Sequence, residues 1–262
     1  MDNLAYAQQR LMHRRRELSA VRPAENSQPA PVAAFVKKAL DVPAVPDDAA
    51  VPVADASVAS LGDLDPSWHP RVAQAIEAAR NWQRRRQKQI ADGKTPNAAL
   101  VLLSSAIPND PTRTGYGCGK THIARACLWT IRSVIDGRAV APGGRFFSAR
   151  DLIYRLGGET RACDEIHGEI VVVDDVGTEG IIPYVRQDEK TQEIERHARY
   201  LMVMNHCHKQ GHSLILTANL TIDKLADYIG GRAWSRLLEM APSGSIVDLT
   251  GVPDYRRASS GR

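Results

Sequence analysis

Residues Gly115-Tyr116-Gly117-Cys118-Gly119-Lys120-Thr121 constrain this chain more than any other stretch. Closely spaced glycines let successive backbone N–H groups curl round an anion where any Cβ would obstruct. The apolar run Ala99-Leu100-Val101-Leu102-Leu103 precedes the loop and reads as a buried strand, and a helical pattern begins at Thr121. A glycine loop between strand and helix is the setting of a phosphate-binding loop, because the helix N-terminus adds its positive end to the same anion. In that reading Gly115, Gly117, Cys118 and Gly119 form the cradle, Lys120 reaches the β- and γ-phosphates of ATP, and the Thr121 hydroxyl ligates Mg²⁺. Two features depart from the usual pattern. Thr114 stands where the first glycine of GxxxxGK[ST] falls, and Ile107 to Arg113 separates strand from loop. Either that segment bulges out or the strand ends elsewhere.

A second run, Ile170-Val171-Val172-Val173, ends in Asp174-Asp175, roughly 54 residues beyond Lys120. Acids at the C-terminal end of a buried strand sit where open α/β sheets bind ligands. Adjacent acids after an apolar run are common, and it is the loop that gives this pair its meaning. Asp174 then holds Mg²⁺ through water, and Asp175 orients or deprotonates the attacking water. Asp175 is one carbon shorter than the glutamate usual at this place, which implies slow hydrolysis. A third run, Ser213 to Thr217, leads to Asn219, which admits two readings: a partner of the γ-phosphate or attacking water, or an ordinary strand-ending turn residue.

Between these runs helical and strand patterns alternate. Helices are expected over Thr121–Ile135, Ala149–Leu156, Thr191–Lys209 and Ala233–Met240, and strands at Arg145–Phe147, Glu169–Asp174, Ser213–Thr217 and Ile246–Thr250. Such alternation specifies an α/β fold, a P-loop parallel sheet with helices on both faces. The expected core spans 96–257, followed by a tail, 258–262. Ahead of it, 66–95 is a basic helix carrying Arg80, Arg84, Arg85, Arg86 and Lys88 on one face, either solvated or set against a phosphate backbone. Residues 19–65, rich in Ala, Pro and Val, read as a flexible linker. Residues 1–18 hold Leu4, Leu11 and Leu18 on a seven-residue beat, as a frayed basic tail or a short helix that docks on a partner.

Composition excludes several classes. No apolar run approaches the length of a membrane span, and the N-terminus lacks the apolar stretch of a secretory signal. The 4 cysteines form no CxxC pair, which argues against a disulfide framework or zinc ribbon and fits a reducing cytosol. A net charge of +4 over 262 residues is too small to argue for an anionic partner by itself. His206, Cys207, His208 and His212 make a weak metal cluster, because neighbours on a helix point to different faces. Cys118 either packs or, beside Lys120, is sensitive to oxidation.

With these residues in place, residues 98–257 resemble an AAA+ ATPase of the DnaC/DnaI helicase-loader and IstB group. The likeness is strongest at Gly117-Cys118-Gly119-Lys120-Thr121-His122-Ile123-Ala124, where His122 after Lys-Thr marks the group. It continues through Phe146 to Leu152, Asp174 to Glu179 and Leu216 to Leu220, then Gly231 to Glu239 and Asp254-Tyr255-Arg256. The resemblance implies ATP and Mg²⁺ as cofactors and His122 as part of the nucleotide site. It also implies that Arg236 reaches a neighbouring subunit's ATP and that Arg256 senses nucleotide; a surface ion pair is the plainer reading of either arginine. It further implies a cytoplasmic protein of a bacterial or phage-infected cell that self-associates through its ATP sites. Its partners would be a hexameric replicative helicase and single-stranded DNA. An IstB-like helper of a transposase and a nucleotide-gated DNA scaffold with little turnover are the alternatives.

Overall fold

The computed structural model describes residues 60–110, 112–130, 132–135, 138–142, 144–156, 166, 168–182 and 185–255, with backbone alone for 130, 132–135 and 138–142. The readings of residues 1–18, of 19–59, of Arg256 and of the tail 258–262 lie outside the described residues.

The described chain opens with a 3-10 turn, Leu61–Asp63, capped by the Ser60 side chain. Leu61 and Leu64 are buried in the main core cluster, so residues 60–64, read as the end of a linker, are packed onto the fold. Helix α1 (Pro70–Ala91) starts on His69, whose Nδ1 accepts the Arg71 N–H at 3.2 Å, with proline at the first helical position. Val72, Ile76, Ala79, Trp82 and Arg86 form its buried stripe. The Trp82 indole donates to the Ala98 carbonyl at 3.0 Å and fixes the helix to the start of strand β1 (Ala99–Leu103). Arg86, read as part of the outer basic face, is instead interior and paired with the Glu169 carboxylate, because it lies one helical turn beyond Trp82.

Helix α2 (Lys120–Thr130) is followed by a hairpin of β2 (Arg132–Ile135) and β3 (Arg138–Pro142), paired antiparallel. The single helix expected over 121–135 therefore ends early: its last residues, Val134 among them, lie in strand β2. Then come β4 (Gly144–Ser148), α3 (Ala149–Arg155), β5 (Ile170–Val176) and α4 (Glu189–Gln210). They are followed by β6 (Ser213–Ala218), α5 (Ile222–Ile229), α6 (Gly231–Met240) and β7 (Ile246–Asp248). Helix α5 has no counterpart in the sequence reading; Thr221 caps it by accepting the Lys224 N–H.

Apart from the β2–β3 hairpin, the strands form a parallel sheet of order β4-β5-β6-β1-β7. β1, β5 and β6 are buried at nearly every position, as strands covered on both faces must be. Leu100, Leu102, Ile170, Val172, Ile215 and Val247 join α1 and α2 in one cluster. The alternate residues Val101, Leu103, Val171, Val173, Leu214 and Leu216, equally buried, point to the other face. Two neighbours of the phosphate loop thereby reach the C-terminal edge of the sheet: the β5 tip with its acids and the β6 tip with Asn219.

Candidate phosphate-binding site

The segment before the loop does bulge. β1 ends at Leu103 as expected, and Ile107 to Arg113 closes on itself through Ile107 N–H to the Arg113 carbonyl at 2.9 Å. Asp110 pins the turn by accepting the Thr112 N–H at 2.9 Å and hydroxyl at 2.6 Å. Those bonds hold the Asp110 carboxyl below its usual range.

Gly115, Gly117 and Gly119 have φ values of 78, 68 and 93°, in the left-handed region. Gly117 is fixed for a second reason: a Cβ there would run into the Asp254 carboxylate. Tyr255 N–H also donates to the Gly117 carbonyl at 3.0 Å, so the segment leading to Arg256 lies against the loop. Cys118 is buried with its thiol 3.7 Å from the Gly115 carbonyl.

Lys120 opens α2 and is 5% exposed. Its ammonium donates to the Gly115 carbonyl at 2.9 Å, to Asn219 Oδ1 at 2.8 Å and to the Ser104 hydroxyl. Ser104 Oγ in turn donates to the Gly115 carbonyl. The Thr121 hydroxyl lies 3.1 and 3.0 Å from the two oxygens of Asp174.

The acids stand on a β-bulge. Val173 pairs with Leu216 and Val176 with Ala218, so Asp174 and Asp175 together oppose Thr217. In a regular strand the two carboxylates would face opposite sides of the sheet. Here Asp175 takes a φ of 60°, and its Oδ1 meets Asn219 Nδ2 at 3.3 Å. Thr217, fully buried, serves both acids: its hydroxyl donates to Asp174 Oδ1 at 2.6 Å and accepts the Asp175 N–H at 3.0 Å. Asp174 is 6% exposed, and burial raises its carboxyl above the ordinary range, with the charge of Asp175 adding; the bonds from Thr217 and Thr121 act the other way.

Lys120, Thr121, Asp174, Asp175 and Asn219, chosen from sequence, thus meet at one place. His122 turns aside, its Nε2 on the Ser60 carbonyl at 2.9 Å and 3.8 Å from Asp63, so it ties the 3-10 turn to α2. Arg236 is paired with Glu239 on its own helix. Ser104 and Thr217 belong to the site and were missed. Each is a hydroxyl in or just after an apolar run; the folding back of the loop onto the end of β1 reveals what Ser104 touches, and the pairing of β6 with β5 what Thr217 touches. The oxygen donors of Thr121 and Asp174 suit a hard divalent cation, whose charge would offset the cost of holding Asp174 ionised. Among the described residues no three His, Cys, Asp or Glu side chains are grouped to hold a metal, and His206 bonds the Ile166 carbonyl at 2.9 Å instead. No helix of the described chain is long and apolar enough to cross a membrane.

No protein-family model matches the sequence, and neither does any curated protein. Solved structures similar to the chain include the DnaC helicase loader, at 20% identity over 73% of this chain and 96% of that one, with a TM-score of 0.47. DnaI follows at 15% identity over 75% and 90%, TM-score 0.47. A primosome component from Streptococcus pyogenes serotype M3 shows 12% identity over 74% and 87%, TM-score 0.47. The chain's own strand order, with β6 between the loop strand and the acidic strand, makes it an α/β fold whose parallel sheet carries a phosphate-loop-type segment between β1 and α2.

Proposed function

We propose that this protein is a Mg²⁺-dependent ATPase that loads or remodels a hexameric replicative helicase on single-stranded DNA. The observation that carries the reading is Asn219. One side-chain amide accepts from Lys120 and donates to Asp175, joining the loop that would hold phosphate to the acid that would act on water. Bound MgATP supplies the transferable phosphoryl group and the divalent charge.

The chain's own residues do the rest. The loop from Gly115 to Gly119 and the start of α2 direct N–H groups at the phosphates. Lys120 would exchange its neutral acceptors for phosphate oxygens, and Thr121 and Asp174 would hold the cation. Release by Lys120 frees Asn219 Oδ1 to accept from the attacking water, while Asp175 takes or orients the water's proton. Arg236, on the outer surface of α6, reaches a neighbouring subunit's nucleotide, and this couples turnover to self-association. Arg256 senses nucleotide beyond Tyr255. Residues 1–18 grip the helicase and the following Ala/Pro/Val-rich stretch supplies reach.

Asp175→Asn tests the chemistry. It keeps the bond from Asn219 but removes the base, so ATP binding persists while turnover falls by about 100-fold or more. Equal turnover by Asp175→Asn and wild type would end the assignment of Asp175. Capture of a hexameric helicase in ATP by the full chain, lost when residues 1–56 are removed, tests the loading role; capture of a transposase instead would replace it.

A further inference from the structure

We propose that Glu179 is a positioning residue for Asp175: its buried carboxylate gathers the turn after the acids and two helices, and so holds Asp175 aimed at Asn219. The proposal rests on the reading of Asp175 as the group that handles water.

Asp175 needs such support. A left-handed φ on a residue with a Cβ is sparsely populated and persists only where the surroundings over-determine it. Thr217 accepts its N–H, and the Thr178 hydroxyl donates to its carbonyl at 2.7 Å. The chain then turns through Gly177, at a φ of 102°, where a Cβ would crowd Leu220 at 2.9 Å. What stops this turn from relaxing is the Gly177 N–H, which donates to Glu179 Oε2 at 3.0 Å.

Glu179 is 1% exposed, an expensive place for a carboxylate unless donors surround it. Besides the Gly177 N–H, it accepts from the Tyr200 hydroxyl on α4 and the Tyr228 hydroxyl on α5. Burial, with the Glu179 charge adding, pushes both phenols above their usual range, so they stay protonated and remain donors. Tyr228 is itself clamped: the Arg196 guanidinium lies 4.2 Å from its ring centroid and Arg196 Nε donates to its carbonyl at 3.1 Å. The Tyr154 hydroxyl donates to the Glu179 carbonyl at 2.8 Å, closing the turn from the α3 side. Three donors therefore converge on one side chain, and only a carboxylate offers acceptors to all of them. An amide of the same shape presents an NH₂ to one or more.

Glu179→Gln in the full chain is the direct test, read three ways: amide hydrogen exchange over 174–178, ATP turnover and ATP affinity. Faster exchange of the turn, with β1 and α4 still protected, is expected. The kcat falls by about 100-fold, the size of effect that a misplacement of roughly 1 Å produces, while ATP affinity stays unchanged. Tyr228→Phe removes one donor and shifts turn exchange and kcat less, in the same direction; it serves if Glu179→Gln does not fold. Unchanged exchange in the turn, uniform loosening of the whole sheet, or unchanged kcat each overturns the proposal. A wild-type chain without turnover would instead overturn the ATPase reading, and the exchange measurement alone then decides for or against Glu179.

Discussion

Lys120 and Arg86 are both buried cations, 5% and 3% exposed, set toward opposite ends of the sheet, and their charges are met in opposite ways. Arg86 meets the Glu169 carboxylate just before β5 begins. Lys120, beyond the strand tips, gives its hydrogen bonds to a serine hydroxyl, a backbone carbonyl and an asparagine amide oxygen. Burying an ion is costly until an opposite charge arrives. Arg86 has its counter-charge in the fold, whereas Lys120 has dipoles that can be exchanged for an anion from outside. The partner, not the burial, separates a structural cation from a ligand-binding one.

Exchanging each for methionine should split the two roles, and this is the largest effect expected. Lys120→Met loses ATP affinity by about 100-fold or more, because charge-assisted bonds to phosphate are the strong ones, while the unliganded protein melts no lower than wild type. Arg86→Met keeps ATP affinity and costs about 1–2 kcal/mol, less than for a fully buried pair because Glu169, 55% exposed, returns to water. Calorimetry and thermal melts read both. A comparable loss of ATP affinity in Arg86→Met would collapse the distinction.

Asp174 sharpens the same contrast from the acidic side, with a smaller effect. Its carboxyl titrates above the 3.8 usual for an aspartate, so the unliganded fold disfavours the charged form. The penalty is absent below the unfolded value, grows as pH rises from there through the native value, and is complete above it. Asp174→Asn should therefore raise the melting temperature of the unliganded protein at neutral pH, by on the order of 1 kcal/mol of stability. The gain shrinks as pH is lowered through that window. The same variant loses the extra stabilisation that Mg²⁺ gives the ATP complex of wild type. A variant less stable than wild type at neutral pH would show that Asp174 is held by Thr217 and Thr121 for the fold alone.

The parts legible in the sequence were those written in local pattern. β1, the glycine loop and β5 with its acids are contiguous, and their order alone fixes the sheet edge where they meet. Arg86 was legible too, by counting: it continues the stripe of Val72, Ile76, Ala79 and Trp82, and a cluster of neighbouring basic residues disguised it. The hairpin carries its own signal in Asp136-Gly137, the pair that favours a two-residue turn, set between the β-branched Val134-Ile135 and Val140, which the helix expected over Thr121–Ile135 runs past. Thr217, Ser104 and Glu179 could not be read. Their roles depend on which strand lies beside which and on a one-residue bulge for Thr217, on the loop folding back over the end of β1 for Ser104, and on helices α4 and α5 converging on one carboxylate for Glu179.

The outer face of α1 is where the comparison of paired with unpaired cations predicts its smallest effect. With Arg86 interior, Arg84 bonds Glu77 at 2.7 Å, and Arg80, Arg85 and Lys88 are left exposed on the basic face. If this face tracks single-stranded DNA, removing one phosphate-binding cation should lower the slope of log affinity against log salt by about 0.7. Arg85→Ala and Lys88→Ala should each show that change and weaken binding a few-fold at low salt. Arg84→Ala should change it less, because its charge is already shared with Glu77. Fluorescence anisotropy with a labelled oligonucleotide, titrated across salt, measures all three. Identical slopes for the three variants and wild type would mean that the row only solvates the helix, and that a cation without an acidic counter-charge signals a ligand in this fold only when, like Lys120, it is also buried.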